Sequence, residues 1–398
     1  MNTLTIIGGG SGGLQFLTGE AREVIASAER IYACKRLGDA FEELNSNIVC
    51  ASYGEIKKIL AGDRSCDAAV IVSGDTGFFS MARVLKREFG GQYNIHMLPG
   101  ISSMQALCAR LGVGYEDLQV ISTHGRDTPV LGPVSYHART LVLTSGGEDA
   151  RRILESLCEA DLGDVSVTVG EALGGAGERI VTGTASSLLD KPIGELVVLL
   201  LENSRAAVTF PRLRDEEFIR GNVPMTKESV RALAVDRLEI EPEEIVCDIG
   251  AGTGSVSVAL ARKATKGLVY AVERSEEGLS LIHQNRRRLG THNIVIVPGT
   301  APEALGDLPA PAKVFIGGSG GNINAILEAL TLKSKSMTVC IAAITLEGIA
   351  QAVSGINKAG FDDVEVECVN TAKSREAGGY HLMMAQNPVY LISGRWKR

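Results

Sequence analysis

The stretch Val246-Cys247-Asp248-Ile249-Gly250-Ala251-Gly252-Thr253-Gly254-Ser255 joins an apolar run to a run of small helix formers through glycines at alternate positions. Such a turn lets a ligand approach bare backbone between a buried strand and a helix. A dinucleotide turn is spaced G-x-G-x-x-G and aims a helix N-terminus at a pyrophosphate. Alternate glycines behind an acid, Asp248, suit instead a ligand with no phosphate and a charged amino acid tail, S-adenosylmethionine. The next apolar run, 268–272, ends in Glu273, whose carboxylate is expected to accept both ribose hydroxyls. The chemistry to which these residues point is methyl transfer from a sulfonium.

A second glycine loop, Gly8-Gly9-Gly10-Ser11-Gly12-Gly13, satisfies the dinucleotide count through Gly8, Gly10 and Gly13. The match is weak, because that fold also needs an acid at the end of its second strand. Here Glu29 precedes the run 31–34, and Lys35 and Arg36 follow it, so NAD is not expected. Two more loops, 72–80 and 98–103, follow apolar runs, and Ser122 to Arg126 makes a further one. Taken singly, Asp75 and Ser102 read as caps of the helices behind them. Grouped within one segment of the chain, the loops point to a shared cleft at the carboxyl ends of strands.

The elements that must position these loops alternate in kind. Strands are predicted at 4–7, 31–34, 68–72, 94–97, 119–122, 140–144, 166–169 and 196–201, with helices at 21–28, 79–89, 102–111 and 150–159. The pattern restarts with a helix at 227–238 and seven strands at 244–248, 268–273, 294–298, 314–316, 338–343, 364–369 and 389–393. This is an α/β chain whose C-terminal part is a doubly wound, seven-stranded Rossmann-like sheet. Domains are expected at 1–205 and 223–398, with a polar linker at 206–222.

With 398 residues, 45% apolar content and 46 glycines, the chain fits two globular α/β domains. No run reaches the roughly 18 apolar residues of a membrane span, and a soluble, cytoplasmic protein is expected. A net charge of −7 argues against nucleic acid as the main partner. The eight cysteines are scattered without a C-x-x-C pair and read as buried thiols, with neither disulfides nor a metal site expected.

The ordered motifs Gly8 to Thr18, Ser73 to Ser80, Pro99 to Ser103, His124 to Arg126 and Val169 to Gly174 resemble the tetrapyrrole methylases of cobalamin biosynthesis over about residues 1–203. From Val223 onward, Pro224 to Lys227, Asp248 to Gly254, Glu273, Gly299 to Ala304 and Phe315 to Gly321 resemble Rossmann-type precorrin methyltransferases that also decarboxylate. In this order the halves resemble the bifunctional, decarboxylating precorrin C5,15-methyltransferase family. The resemblance implies that Gly10, Ser11, Asp75, Phe78, Ser102 and Ser103 hold one donor for methylation at C5. It implies that Thr226, Gly250, Ala251, Gly252, Thr253, Gly254, Glu273 and Ala301 hold a second, for methylation at C15 and loss of CO2 from the ring C acetate. A homo-oligomer is also implied.

Ser11 and Gly13 replace the usual proline and aspartate of the first loop, and Thr76 a proline, which keeps open a non-catalytic N-terminal module. Methyl transfer to another acceptor also stays open, since fold does not fix substrate. The macrocycle is expected at Gly317, Gly318 and Ser319, with its carboxylates at Arg126 and Lys227. Arg231, Lys373, Arg375 and His381 are further cations near loop ends, each by itself reading as a solvated charge, as does the run Arg286 to Arg288. His124 is equally compatible with proton donation and with a structural role.

Overall fold

Successive side chains of a strand point to opposite faces, and residues 245–249 place apolar groups on both. Val246 packs with Val230, Ala234, Val256 and Ile282, whereas Cys247 and Ile249 pack with Ile323, Ile326, Leu327 and Ile356. The strand is therefore buried between two helical layers, as parallel strands are. The structure, a computed structural model, describes residues 1–125, 128–175 and 177–398.

Seven strands form the C-terminal sheet, in the order Ile294–Pro298, Leu268–Glu273, Ile245–Ile249, Lys313–Ile316, Ser336–Ala343, Val389–Lys397 and Asp362–Val369. The first five run parallel, and Val389–Lys397 is antiparallel to both its neighbours. Strand order reverses between Ile245–Ile249 and Lys313–Ile316, the switch point at which loops of such sheets open a crevice. A separate hairpin, Ala372–Ala377 with Tyr380–Ala385, was not expected from the sequence, because its alternation lacks a buried face: both strands are exposed throughout.

The N-terminal unit has two five-stranded sheets. One is parallel, in the order Val49–Cys50, Ile31–Ala33, Ala68–Val72, Thr3–Gly8 and Asn94–Leu98. The other runs Gln119–Ser122, Arg139–Leu143, Val197–Glu202, Ser166–Glu171 and Arg179–Thr184. Sequence patterning missed the short edge strand Val49–Cys50, the polar strand Arg179–Thr184 and the helices Lys35–Phe41 and Tyr53–Gly62. The last of these starts with a capping box, Ser52 with Glu55, a legible signal.

Two compact units divide the chain: Met1–Thr128 with Arg139–Leu154 and Ser166–Leu201, and Pro129–Ala138 with Glu155–Val165 and Glu202–Arg398. Within the stretch expected as linker, Phe218 is buried in the C-terminal core. The cysteines are free, but Cys50, Cys66 and Cys368 are exposed rather than buried. Among the described residues no helix is long and apolar enough to cross a membrane, and no group of His, Cys, Asp or Glu could hold a metal ion.

Candidate functional site

The C-terminal turn is built on backbone that only glycine tolerates. Gly250, Gly252 and Gly254 all have positive φ, at +72°, +57° and +74°. A Cβ on Gly250 would lie 2.6 Å from the Gly318 carbonyl oxygen and 2.8 Å from its nitrogen. The loops behind the two strands at the switch point thus touch backbone to backbone, which brings Gly317, Gly318 and Ser319 to the same cavity as Gly250, Ala251 and Gly252.

That cavity measures about 780 Å³, within the range of small-molecule sites. Thr226, Lys227, Glu273 and Ala301 line it too. Thr253 and Gly254 do not. Thr253 is buried, with its carbonyl accepting from Asn285 Nδ2 at 2.9 Å, and a Cβ on Gly254 would lie 3.1 Å from Ile282 Cγ1, so both shape the turn. Sequence reasoning missed Arg274, Ile344, Gln386 and Asn387 on the lining. The polar pair Gln386-Asn387 before Pro388 was the available signal.

Two carboxylates face this cavity in different states. Asp248 is fully buried, and burial pushes its carboxyl up to about 7, although the Ser257 hydroxyl and N–H partly offset the rise. Its Oδ2 accepts from Ser257 Oγ at 2.5 Å, while Oδ1 meets no donor among the described residues. Glu273 is also buried, at 8% exposed. Burial pushes it up, but the N–H groups of Ser275, Gly252 and Arg274 outweigh this and hold it below the ordinary carboxylate range. Its Oε1 accepts from Arg274 N at 2.9 Å and Ser275 N at 2.8 Å, and its Oε2 from Gly252 N at 2.8 Å. Three of about four lone-pair positions are then occupied, so Glu273 has room for one ribose hydroxyl rather than both.

A sulfonium donor fits what is present. Oδ1 of Asp248 is a buried acceptor with no donor among the described residues, and the approach of Gly250 to Gly318 leaves no room there for a Cβ.

The cleft of the N-terminal unit measures about 540 Å³ and is lined by Gly10, Ser11, Phe78, Ser102, Ser103 and His124, among others. Gly10 and Gly74 exchange backbone bonds, Gly10 N to Gly74 O at 3.1 Å and Gly74 N to Gly10 O at 2.7 Å, which closes the first loop on the second. Asp75 does not line the cavity. Its Oδ2 accepts from Gly77 N at 2.8 Å and its Oδ1 from Gly100 N at 3.1 Å, so it ties two loops together. Ser102 is the cap of helix Ser103–Leu111, in a box with Gln105, and still borders the cavity. Ser11 Oγ is buried with no hydrogen-bond partner among the described residues. Arg126 lies outside the described residues.

Two cations are not solvated as expected. Arg231 is 2% exposed and donates to Leu213 O at 2.7 Å, Thr226 O at 2.9 Å and Asp215 Oδ1 at 3.3 Å, with its guanidinium over the Phe218 ring. Arg286 is buried and donates to Ile294 O at 3.1 Å. Lys373 pairs with Glu228 at 3.2 Å, and Arg375 and His381 lie on the exposed hairpin.

Known proteins match both halves. Residues 3–189 match the family described as Tetrapyrrole (Corrin/Porphyrin) Methylases, and residues 217–395 the Precorrin methyltransferase domain. A precorrin-6Y C(5,15)-methyltransferase [decarboxylating] from Sinorhizobium sp. is 32% identical over 357 residues, 86% of this chain and 85% of that protein. The cobalt-precorrin-6B C(15)-methyltransferase (decarboxylating) of Salmonella typhimurium is 36% identical over 184 residues, 46% of this chain and 94% of that one. Among solved structures, the precorrin-6Y C5,15-methyltransferase of Geobacter metallireducens is 37% identical, covering 47% of this chain and 96% of that chain, with a TM-score of 0.44.

Proposed function

The chain belongs to the precorrin-6Y C(5,15)-methyltransferase (decarboxylating) family, and from that premise we propose how its two clefts divide the work. The protein methylates a precorrin at C5 and C15 and decarboxylates the ring C acetate chain, in building the corrin ring of cobalamin. The N-terminal cleft takes C5. The C-terminal cavity takes C15 and the decarboxylation, each site drawing on its own S-adenosylmethionine. The match of a tetrapyrrole methylase family to the first half and of a precorrin methyltransferase domain to the second supports this split. The observation that carries the C-terminal site is the unpartnered Oδ1 of buried Asp248 beside the glycine turn.

When bound, the donor supplies an electrophilic methyl group on a sulfonium sulfur. The chain's residues mainly bind and orient. Asp248 pairs with the donor's ammonium, Glu273 Oε2 accepts a ribose hydroxyl, and the Ala301 backbone meets the adenine. Thr226 and Lys227 close the cavity, and Gly317, Gly318 and Ser319 leave a bare backbone surface that a flat macrocycle can approach. In the N-terminal cleft, Gly10, Ser11, Phe78, Ser102 and Ser103 border the donor, with Asp75 holding their loops in place. Holding the methyl near an electron-rich ring carbon supplies several kcal/mol without a strong base. For the decarboxylation, the protonated ring system of the substrate is itself the sink for the electron pair that CO2 leaves behind, and the protein's part is to orient it and exclude water.

The state of Asp248 gives a pH dependence. Its carboxyl in the folded chain titrates near 7, above the ordinary carboxylate value. The folded chain therefore holds a proton that the unfolded chain has lost, and this contribution to stability is full below about pH 4 and lost as pH rises through about 7. An ammonium ligand requires the carboxylate, so donor affinity at the C-terminal site is expected to rise about tenfold per pH unit below 7 and level off above it. Calorimetric titration between pH 5.5 and 8.5 checks this, and Asp248→Asn is expected to remove the slope.

Incubating the chain with methyl-labelled donor and the dihydro precorrin tests the assignment as a whole. Two methyl groups gained and one CO2 lost are expected. One methyl with CO2 loss would mean a non-catalytic N-terminal module, and no methyl gained would send the activity to another acceptor.

A further inference from the structure

Arg36 stands where a dinucleotide fold would carry its ribose acid, in the first turn of helix Lys35–Phe41 behind strand Ile31–Ala33. It lines the N-terminal cleft. Its guanidinium donates to the Ser11 carbonyl at 2.5 Å and to Ser73 Oγ at 2.9 Å, bridging the first two loops. A guanidinium is a planar fork of N–H donors with no acceptor, so beyond these two bonds it keeps donors suited to a carboxylate.

Phe79 lines the same cleft and is 58% exposed. Its φ of +46° is a strained setting for a bulky side chain, of the kind that persists where the surroundings enforce it. Phe78 meets its ring edge-on, with centroids 5.2 Å apart. The strained residue thus presents an aromatic ring to the cavity instead of to the core. An aromatic face and a cationic fork on one cleft suit a flat conjugated body with acids on its rim.

We propose that Arg36 and Phe79 are the docking pair for the tetrapyrrole in the N-terminal cleft, Arg36 binding one of its acid side chains and Phe79 lying against the macrocycle. The proposal rests on the assignment of C5 methylation to this cleft. The donor too carries a carboxylate and an aromatic adenine, so the test reads donor affinity separately from KM for the precorrin.

The test is steady-state C5 methylation by the full chain, with the precorrin varied at saturating donor. Arg36→Gln is expected to raise KM for the precorrin about 10- to 100-fold, the loss of a charge-assisted pair, with kcat within about threefold. Arg36→Lys should recover part of that loss. C15 methylation should stay at the wild-type level in every variant, and donor affinity, measured by calorimetry, in Phe79→Ala. Phe79→Ala leaves the Ser11 and Ser73 bonds in place and is expected to raise the same KM about tenfold. A precorrin with esterified side chains should erase the Arg36→Gln deficit and leave that of Phe79→Ala. Unchanged KM in both variants, or a loss of donor affinity in place of the KM effect, would overturn the docking pair alone. A wild-type chain that adds no methyl at C5 would overturn the C5 assignment and the pair with it.

Discussion

Gly250→Ala is expected to reduce C15 methylation and CO2 release at least 100-fold while C5 methylation stays within about twofold of the wild type. The first cause is conformational. At φ +72° a Cβ costs about 1–2 kcal/mol. The second is the contact at 2.6 Å with the Gly318 carbonyl, which is backbone and cannot rotate away. One of the two loops must move, and both border the cavity. A displacement of about 1 Å at a positioning site can cost about 100-fold in rate. Product analysis by mass spectrometry separates the two methylations. Equal loss of both would mean that Gly250 matters only for folding.

Glu273→Ala has the second large effect, a fall in donor affinity of about 100-fold or more at the C-terminal site. Its carboxylate accepts three backbone N–H groups as well as the proposed ribose hydroxyl. The bond from Gly252 N is buried, and leaving such a group unpaired costs about 1–3 kcal/mol. The glycine turn would lose its link to the neighbouring strand end together with a direct ligand contact. Glu273→Gln is not expected to rescue, because its amide NH2 would face a backbone donor on one side. Calorimetry with S-adenosylhomocysteine reads both variants, and affinity within threefold of the wild type in Glu273→Ala would exclude the assigned role.

Alternate glycines behind Asp248, and an acid closing the next apolar run, made the C-terminal turn legible, because spacing along one short segment sets backbone geometry directly. The seven-stranded sheet was legible for a similar reason: its central strands are apolar on both faces. What escaped depends on partners distant in the chain. Arg231 reads as a surface cation until Asp215 and the Leu213 carbonyl, from the stretch expected to be a linker, are folded against it. Asp75 reads as a helix cap or a ligand, yet its two oxygens are taken by Gly77 and Gly100. Glu273 was singled out by its place at the end of an apolar run, but the competition of three N–H groups for its oxygens exists only once the turn closes. The hairpin Ala372–Ala377 with Tyr380–Ala385 left no pattern, since neither of its faces is buried.

The central claim is that each half of one chain binds its own sulfonium donor. Equilibrium titration of the full chain with S-adenosylhomocysteine tests it most directly. Two equivalents per chain are expected for the wild type and one for Gly250→Ala. A wild-type stoichiometry of one would contradict the account.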